Sequence, residues 1–178
     1  MQKELLELRG IEKSFPGVKA LSNASMKLYA GEVVGLCGEN GAGKSTLIKI
    51  ISGLYQADAG EIYVEGKNVD IPDTQTAMDL GISVIYQELS LVNEMNIAEN
   101  LFLGHLPVSQ GRIDYKKLYA DAEKVMKTLG MDFDVKEARI GDLNISNQQL
   151  IEIGKAIARN AKILIMDEPT SSLDDDAT

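Results

Sequence analysis

The stretch Gly38-Glu39-Asn40-Gly41-Ala42-Gly43-Lys44-Ser45-Thr46 sets a lysine and two hydroxyls behind spaced glycines, in the pattern G-x-x-x-x-G-K-[ST]. Glycines 38, 41 and 43 carry no Cβ and tolerate positive φ, so successive backbone N–H groups can converge on phosphate oxygens at a helix N-terminus. Lys44 can reach the β- and γ-phosphates of a nucleotide, the Ser45 hydroxyl can serve Mg²⁺, and Thr46 can donate to the α-phosphate. A glycine-rich turn that binds nothing would need neither the lysine nor the hydroxyls. The flanks match the loop: an apolar run at 32–37 predicts a strand before it, and Leu47-Ile48-Lys49-Ile50-Ile51 predicts a helix after it.

Two more polar points sit at the ends of apolar runs. The run at 82–86 ends at Gln87, and the run at 162–166 ends in Asp167-Glu168. In open parallel sheets ligands lie beyond the carboxyl ends of the strands, so these side chains can face the same crevice as the phosphate loop. Phosphoryl transfer needs charge neutralisation, a metal and an oriented nucleophile, with little covalent work by the protein. Lys44 and the loop N–H groups supply neutralisation, Asp167 can hold the Mg²⁺ shell, and Glu168 can polarise an attacking water as general base. Taken alone, Gln87 reads as a surface residue and Asp167-Glu168 as an acidic strand end in solvent. The phosphate loop is what makes them candidates for nucleoside-triphosphate hydrolysis.

The elements that must position these residues can be read in order. Apolar runs at 5–8 and 24–29, separated by Phe15-Pro16-Gly17 and closed by Ala30-Gly31, predict antiparallel strands. The stretch 60–69 predicts a hairpin turning near Glu65-Gly66, 74–80 a short helix stopped by Gly81, and 82–86 a buried strand. Helical periodicity at 96–103 and 115–129, the latter capped by Asp114 and stopped by Gly130, marks a mainly helical block. An amphipathic helix at 148–159 and a buried strand at 162–166 return the chain to α/β character. His105, in a link beside Leu106-Pro107, reads as a solvated loop residue with no role.

Composition bounds the rest. The 178 residues suffice for one domain core. A formal charge of −9 offers no general attraction for nucleic acid, and none is expected as a partner. The chain shows neither a secretory leader nor an apolar run long enough to span a bilayer, which predicts a cytoplasmic location. Cys37 is the single cysteine, so no internal disulfide forms, and its predicted role is to fill space at the end of the strand preceding the phosphate loop.

These residues resemble the nucleotide-binding subunit of an ATP-binding-cassette (ABC) transporter over essentially the whole chain. Besides the phosphate loop, the chain has an aromatic residue upstream at Phe15, a glutamine loop at Val84-Ile85-Tyr86-Gln87-Glu88, and a Walker B strand ending at Asp167-Glu168. Ser171-Ser172-Leu173-Asp174 looks like the D-loop. Phe15-Pro16-Gly17-Val18-Lys19-Ala20-Leu21, Gln87-Glu88-Leu89-Ser90-Leu91-Val92 and Ala98-Glu99-Asn100 look most like monosaccharide importers.

The resemblance implies an α/β fold: a P-loop ABC-type core with an N-terminal antiparallel β subdomain and a helical subdomain at about 90–160, within a single domain over 1–178. It implies that Phe15, with Val18, stacks on adenine and that Gln87 joins Ser45 at Mg²⁺. ATP would lie between two cassettes arranged head to tail. The segment after Gln87 would meet a membrane permease subunit, which would place the chain peripherally on the inner face of the membrane.

Two departures qualify the resemblance. The family signature Leu-Ser-Gly-Gly-Gln stands here as Leu143-Asn144-Ile145-Ser146-Asn147, so Asn144 replaces the serine that would meet a γ-phosphate and Ser146 replaces a glycine. Asn144 can still donate a hydrogen bond, and the change reads either as tolerated drift or as a weakened site. The switch histidine expected beyond the D-loop is not reached, which suggests a truncated chain with an open sheet edge. The leading function is therefore an ATP-hydrolysing subunit energising solute import, with sugar as the solute. The alternative is a module that binds ATP and a partner without efficient hydrolysis. A third reading, a cassette ATPase acting on DNA or the ribosome, would need basic surface or a coiled-coil insertion that the chain lacks. Restoring the signature with Asn144→Ser and Ser146→Gly together should raise the ATPase rate of the assembled dimer, measured as steady-state phosphate release. Unchanged turnover would show that the altered loop does not limit the reaction.

Overall fold

The structure is a computed structural model in which residues 2–86 and 88–167 are described. The chain divides into two compact units, residues 1–83 and 84–178.

In the first unit, β1 (Glu4–Phe15) and β2 (Val18–Tyr29) form a long antiparallel hairpin, followed by α1 (Lys44–Ile51), β3 (Ala59–Val64), β4 (Lys67–Val69) and α2 (Thr74–Asp79). The sheet runs in the order β2-β1-β3-β4. Leu6 pairs with Val64 and Leu8 with Ile62, so alternate residues of β1 and β3 share the buried face. Ile11 of β1 and Leu47, Ile48, Ile50 and Ile51 of α1 are buried as well. The β3–β4 turn falls at Glu65 and Gly66, both with positive φ, as the sequence predicts for a two-residue hairpin. α2 follows prediction, capped by the Asp73 carboxylate accepting from Thr76 N at 2.7 Å.

The opposite face of the sheet carries charge. Glu7, nearly buried, meets Arg9 at 2.6 Å and Lys27 at 2.8 Å, and the Arg9 guanidinium lies 4.2 Å from the Tyr63 ring centroid. Hydrogen bonds from Arg9, then from Lys27, hold the Glu7 carboxyl down from its ordinary 4.5 to about 2.

The run at 32–37 departs from expectation: it is not a strand. Val33 is 98% exposed, Val34 43% and Leu36 44%, and Cys37 is exposed rather than packed at a strand end. A strand requires a neighbour for its backbone N–H and C=O groups, and no described strand pairs with this segment.

The second unit is helical, with β5 (Ile82–Ile85) leading into it. Its helices are α3 (Ile97–Leu101), α4 (Tyr115–Leu129) and α5 (Ile145–Ala158), and β8 (Ile163–Met166) closes the described chain. A two-residue hairpin of β6 (Val108–Ser109) and β7 (Arg112–Ile113), absent from the sequence reading, turns through Gln110 and Gly111 at positive φ. α4 has the predicted bounds: Asp114 accepts from Lys117 N at 3.0 Å, and Gly130 ends it in the left-handed region. Ile97, Leu101, Leu118, Ala122, Ile140 and Ile151 form a fully buried core with their neighbours on α3, α4 and α5. β5 and β8 pair, and Asp167 N donates to Ile85 O at 3.0 Å. β8 is less buried than predicted: Ile163 is covered, while Leu164 and Met166 are exposed.

Gly154 lets α5 lie close to its neighbours. A Cβ there would stand 2.7 Å from Leu101 Cδ2, 3.1 Å from Leu129 Cδ1 and 3.3 Å from Val125 Cγ1. Overpacking a core costs about 1–3 kcal/mol. Gly154→Val should therefore lower unfolding free energy by about that amount in denaturant titration, and an unchanged midpoint would contradict the close packing.

Glu7 yields a pH prediction. Its folded value is depressed, so its stabilisation is complete above the ordinary 4.5 and is lost as pH falls through about 2. Glu7→Gln should flatten the fall in melting temperature across that window. An unaltered slope would count against the ion pairs.

Candidate functional site

The phosphate loop belongs to the first unit. Gly43 adopts φ 89°, ψ 2°, and a Cβ at this position would stand 2.5 Å from Ala20 O and 2.8 Å from Leu21 Cδ2. Only glycine permits both the left-handed backbone and this approach to β2. α1 begins at Lys44, so the loop delivers the chain directly into the first turn of a helix.

That first turn has no side-chain cap. Every other described α-helix has one: Asp73 for α2, Asn96 for α3, Asp114 for α4 and Asn144 for α5. The N–H groups opening α1 therefore have no capping side chain, and the helix dipole favours an anion there. Lys44 folds back over the loop, its Nζ donating to Gly38 O at 2.7 Å and Glu39 O at 2.9 Å. Ala42 N donates to Glu39 O at 3.1 Å, closing the turn through Asn40 and Gly41, and Gly41 has φ 84°. Ser45 and Thr46 follow on the first turn. A glycine cradle, an uncapped helix start, a lysine and two hydroxyls form a donor set that fits a triphosphate with its magnesium ion.

At the same end of β2, Phe15 pairs with Val18 across the Pro16-Gly17 turn. Phe15 is 37% exposed and Val18 62%, so the hairpin tip presents apolar surface to solvent. Val18 lies two residues before Ala20, which sets the tip roughly 7 Å along the strand from the point where Gly43 abuts β2.

Asp167, Asn144 and Ser146 belong to the second unit and are described with it. Asp167 follows β8, with its backbone tied to Ile85. Gln87 and Glu168 lie outside the described residues, as does the D-loop candidate 171–174. Asn144 is the N-cap of α5: its Oδ1 accepts from Asn147 N at 2.8 Å. Asparagine and serine are both strong N-caps, so the departure from the family serine keeps the helix start intact. The cap also explains why α5 begins at Ile145, three residues before the predicted 148. Ser146 is exposed on the first turn of α5.

Sequence reasoning missed how the segment after Gln87 is held. Asn100, fully buried, grips Val92 with both ends of its amide: Oδ1 accepts from Val92 N at 2.8 Å, and Nδ2 donates to Val92 O at 3.0 Å. Ser90 Oγ donates to Glu152 Oε1 at 2.8 Å, and Lys155 Nζ donates to Ser90 O at 2.9 Å. The one available signal was the pair Glu152 and Lys155 within the apolar stretch 150–158 of an amphipathic helix pattern.

Residues 21–171 match the ABC transporter family. The chain is 49% identical over 177 residues to the xylose import ATP-binding protein of Geobacillus kaustophilus, covering 98% of this chain and 35% of that protein. It is 50% identical over 172 residues to the arabinose import ATP-binding protein of Pectobacterium atrosepticum, covering 97% and 34%. The chain thus spans about a third of the length of these curated relatives. Among solved structures, an ATP-binding cassette of an ABC transporter in its ADP conformation superposes with a TM-score of 0.79 at 30% identity, covering 95% of this chain and 70% of that one. The phosphate loop in the first unit, the helical character of the second and a match over residues 21–171 agree: the chain belongs to the ABC transporter family.

Proposed function

We propose that this chain binds ATP with Mg²⁺ and hydrolyses it as the energy-coupling part of a solute importer, with a sugar as the solute. The observation that carries this reading is the uncapped start of α1 behind Gly43, with Lys44 lying over the loop carbonyls. The apolar hairpin tip supports it further. Phe15 and Val18 would receive adenine while the loop holds the phosphates, and the roughly 7 Å between them along β2 is on the scale of a ribose. The sugar follows from the xylose and arabinose importers among the relatives.

In this reading Gly38 through Thr46 would hold the triphosphate, and Ser45, Gln87 and Asp167 would hold Mg²⁺, whose charge would offset that of the phosphates. Glu168 takes a proton from the attacking water, whose oxygen bonds to the γ-phosphorus as the bond to the β–γ bridging oxygen breaks; ADP and phosphate leave. Asn144 and Ser146 would meet the nucleotide held by a second cassette, head to tail. The segment after Gln87, gripped by Asn100, Glu152 and Lys155, would meet the permease on the inner face of the membrane. Among the described residues no helix is long and apolar enough to cross a membrane, so the membrane path would belong to that partner.

Equilibrium dialysis with MgATP tests the binding step. A hydrogen bond to a charged group carries enough energy that Lys44→Ala should weaken binding by about 10- to 150-fold. Glu168→Gln should retain binding while abolishing phosphate release in the complex with the permease. Undiminished binding by Lys44→Ala would overturn the reading. Binding by the wild type without phosphate release in that complex would favour a nucleotide-binding module.

A further inference from the structure

Phe15 is not a free-standing ring at a hairpin tip. Tyr55 meets it edge-on, with ring centroids 5.4 Å apart and planes at 67°. The Lys13 ammonium lies 5.7 Å from the Phe15 centroid and is itself fixed by Asp58 at 2.7 Å. Asp58 also accepts from Ser14 N at 2.7 Å and donates its own N–H to Glu12 O at 2.8 Å, so the end of β1 is latched on both sides of Lys13.

Tyr55 in turn is anchored to the phosphate-binding helix. Its backbone N–H and that of Leu54 both donate to Lys49 O, at 3.0 Å and 2.9 Å, across the last turn of α1. The Lys49 ammonium lies 5.4 Å from the Tyr55 ring centroid. A continuous chain of contacts therefore runs from Lys44 at the start of α1, through Lys49 and Tyr55 at its end, to the ring of Phe15. Tyr55 is 36% exposed, and the contact with Phe15 is made by its ring.

We infer that Tyr55 is a positioning residue for the nucleobase: by packing edge-on against Phe15 it sets the plane on which a purine stacks and ties that plane to the helix that holds the phosphates. An exposed phenylalanine without such a neighbour samples several rotamers and must be ordered when the base arrives; the edge contact removes part of that ordering cost. The inference rests on the reading that Phe15 receives adenine and the phosphate loop the triphosphate.

Titration calorimetry of the full chain with MgATP and, separately, with magnesium tripolyphosphate tests it. The second ligand has phosphates and no base. Tyr55→Ala should weaken ATP binding by about 2- to 12-fold, the range of an aromatic pair. Tripolyphosphate affinity should stay unchanged, and Tyr55→Phe should restore ATP binding. Because Tyr55 acts through Phe15, the double variant with Phe15→Ala should lose no more than Phe15→Ala alone. Equal ATP affinity in Tyr55→Ala, a parallel loss of both ligands, or additive losses in the double variant would each overturn the inference while leaving the nucleotide site standing. Failure of the wild type to bind either ligand would remove the nucleotide reading and this inference with it.

Discussion

The left-handed backbone at Gly43, pressed against the carbonyl of Ala20, is the constraint on which the first unit's chemistry depends. A side chain there would collide with the strand, so the loop could not lie against β2 and α1 could not begin where it does. With glycine in place, the helix opens onto the loop with no side chain over its first N–H groups, and Lys44 closes back onto Gly38 and Glu39. The same approach places the hairpin tip bearing Phe15 and Val18 a short strand length away. The loop and the apolar tip are thus both set against the same end of one strand.

The second unit solves a different problem, which is how to hold an irregular segment without regular strand pairing. Residues 88–93 carry backbone groups that need partners, and side chains from the helices supply several of them. Asn100 mimics a strand edge toward Val92, with one acceptor and one donor in register. Glu152 and Lys155 reach the same segment from α5 at Ser90, and the carboxylate and ammonium also lie 3.4 Å apart. A nearly buried charge pair is tolerable because each member is hydrogen-bonded, and removing either would leave the other costly to bury. The helix that begins at Asn144 is thereby fastened to the chain that follows Gln87. One helix thereby carries both the Asn144 cap and the side chains that hold Ser90.

Asn144 illustrates how a departure from a family pattern can be conservative in one physical respect and not in another. As an N-cap it satisfies the start of α5 as serine would. Beyond that cap it offers a longer, planar amide in place of a small hydroxyl. The helix start is therefore the same, while the group presented beyond it is different.

By itself the sequence determined the phosphate loop, the β3–β4 turn, the bounds of α4 and the mixed α/β character, because each rests on local chemistry. Glycines at fixed spacing, a Glu-Gly turn, and an aspartate cap with a glycine stop act within a few residues of themselves. The family, too, was legible from short motifs. The run at 32–37 was misread as a strand because hydrophobicity records only a capacity for burial; pairing needs a neighbour that no local pattern encodes. β8 was read as a buried strand, though Leu164 and Met166 are exposed, for the same reason. Only the tertiary structure decided the roles of Gly154, Asn100, Glu152, Lys155 and Tyr55, whose partners lie far away in sequence or on other elements. A close helix crossing, a buried amide and an edge-on aromatic contact are properties of two surfaces meeting, and a sequence lists those surfaces without saying which of them touch.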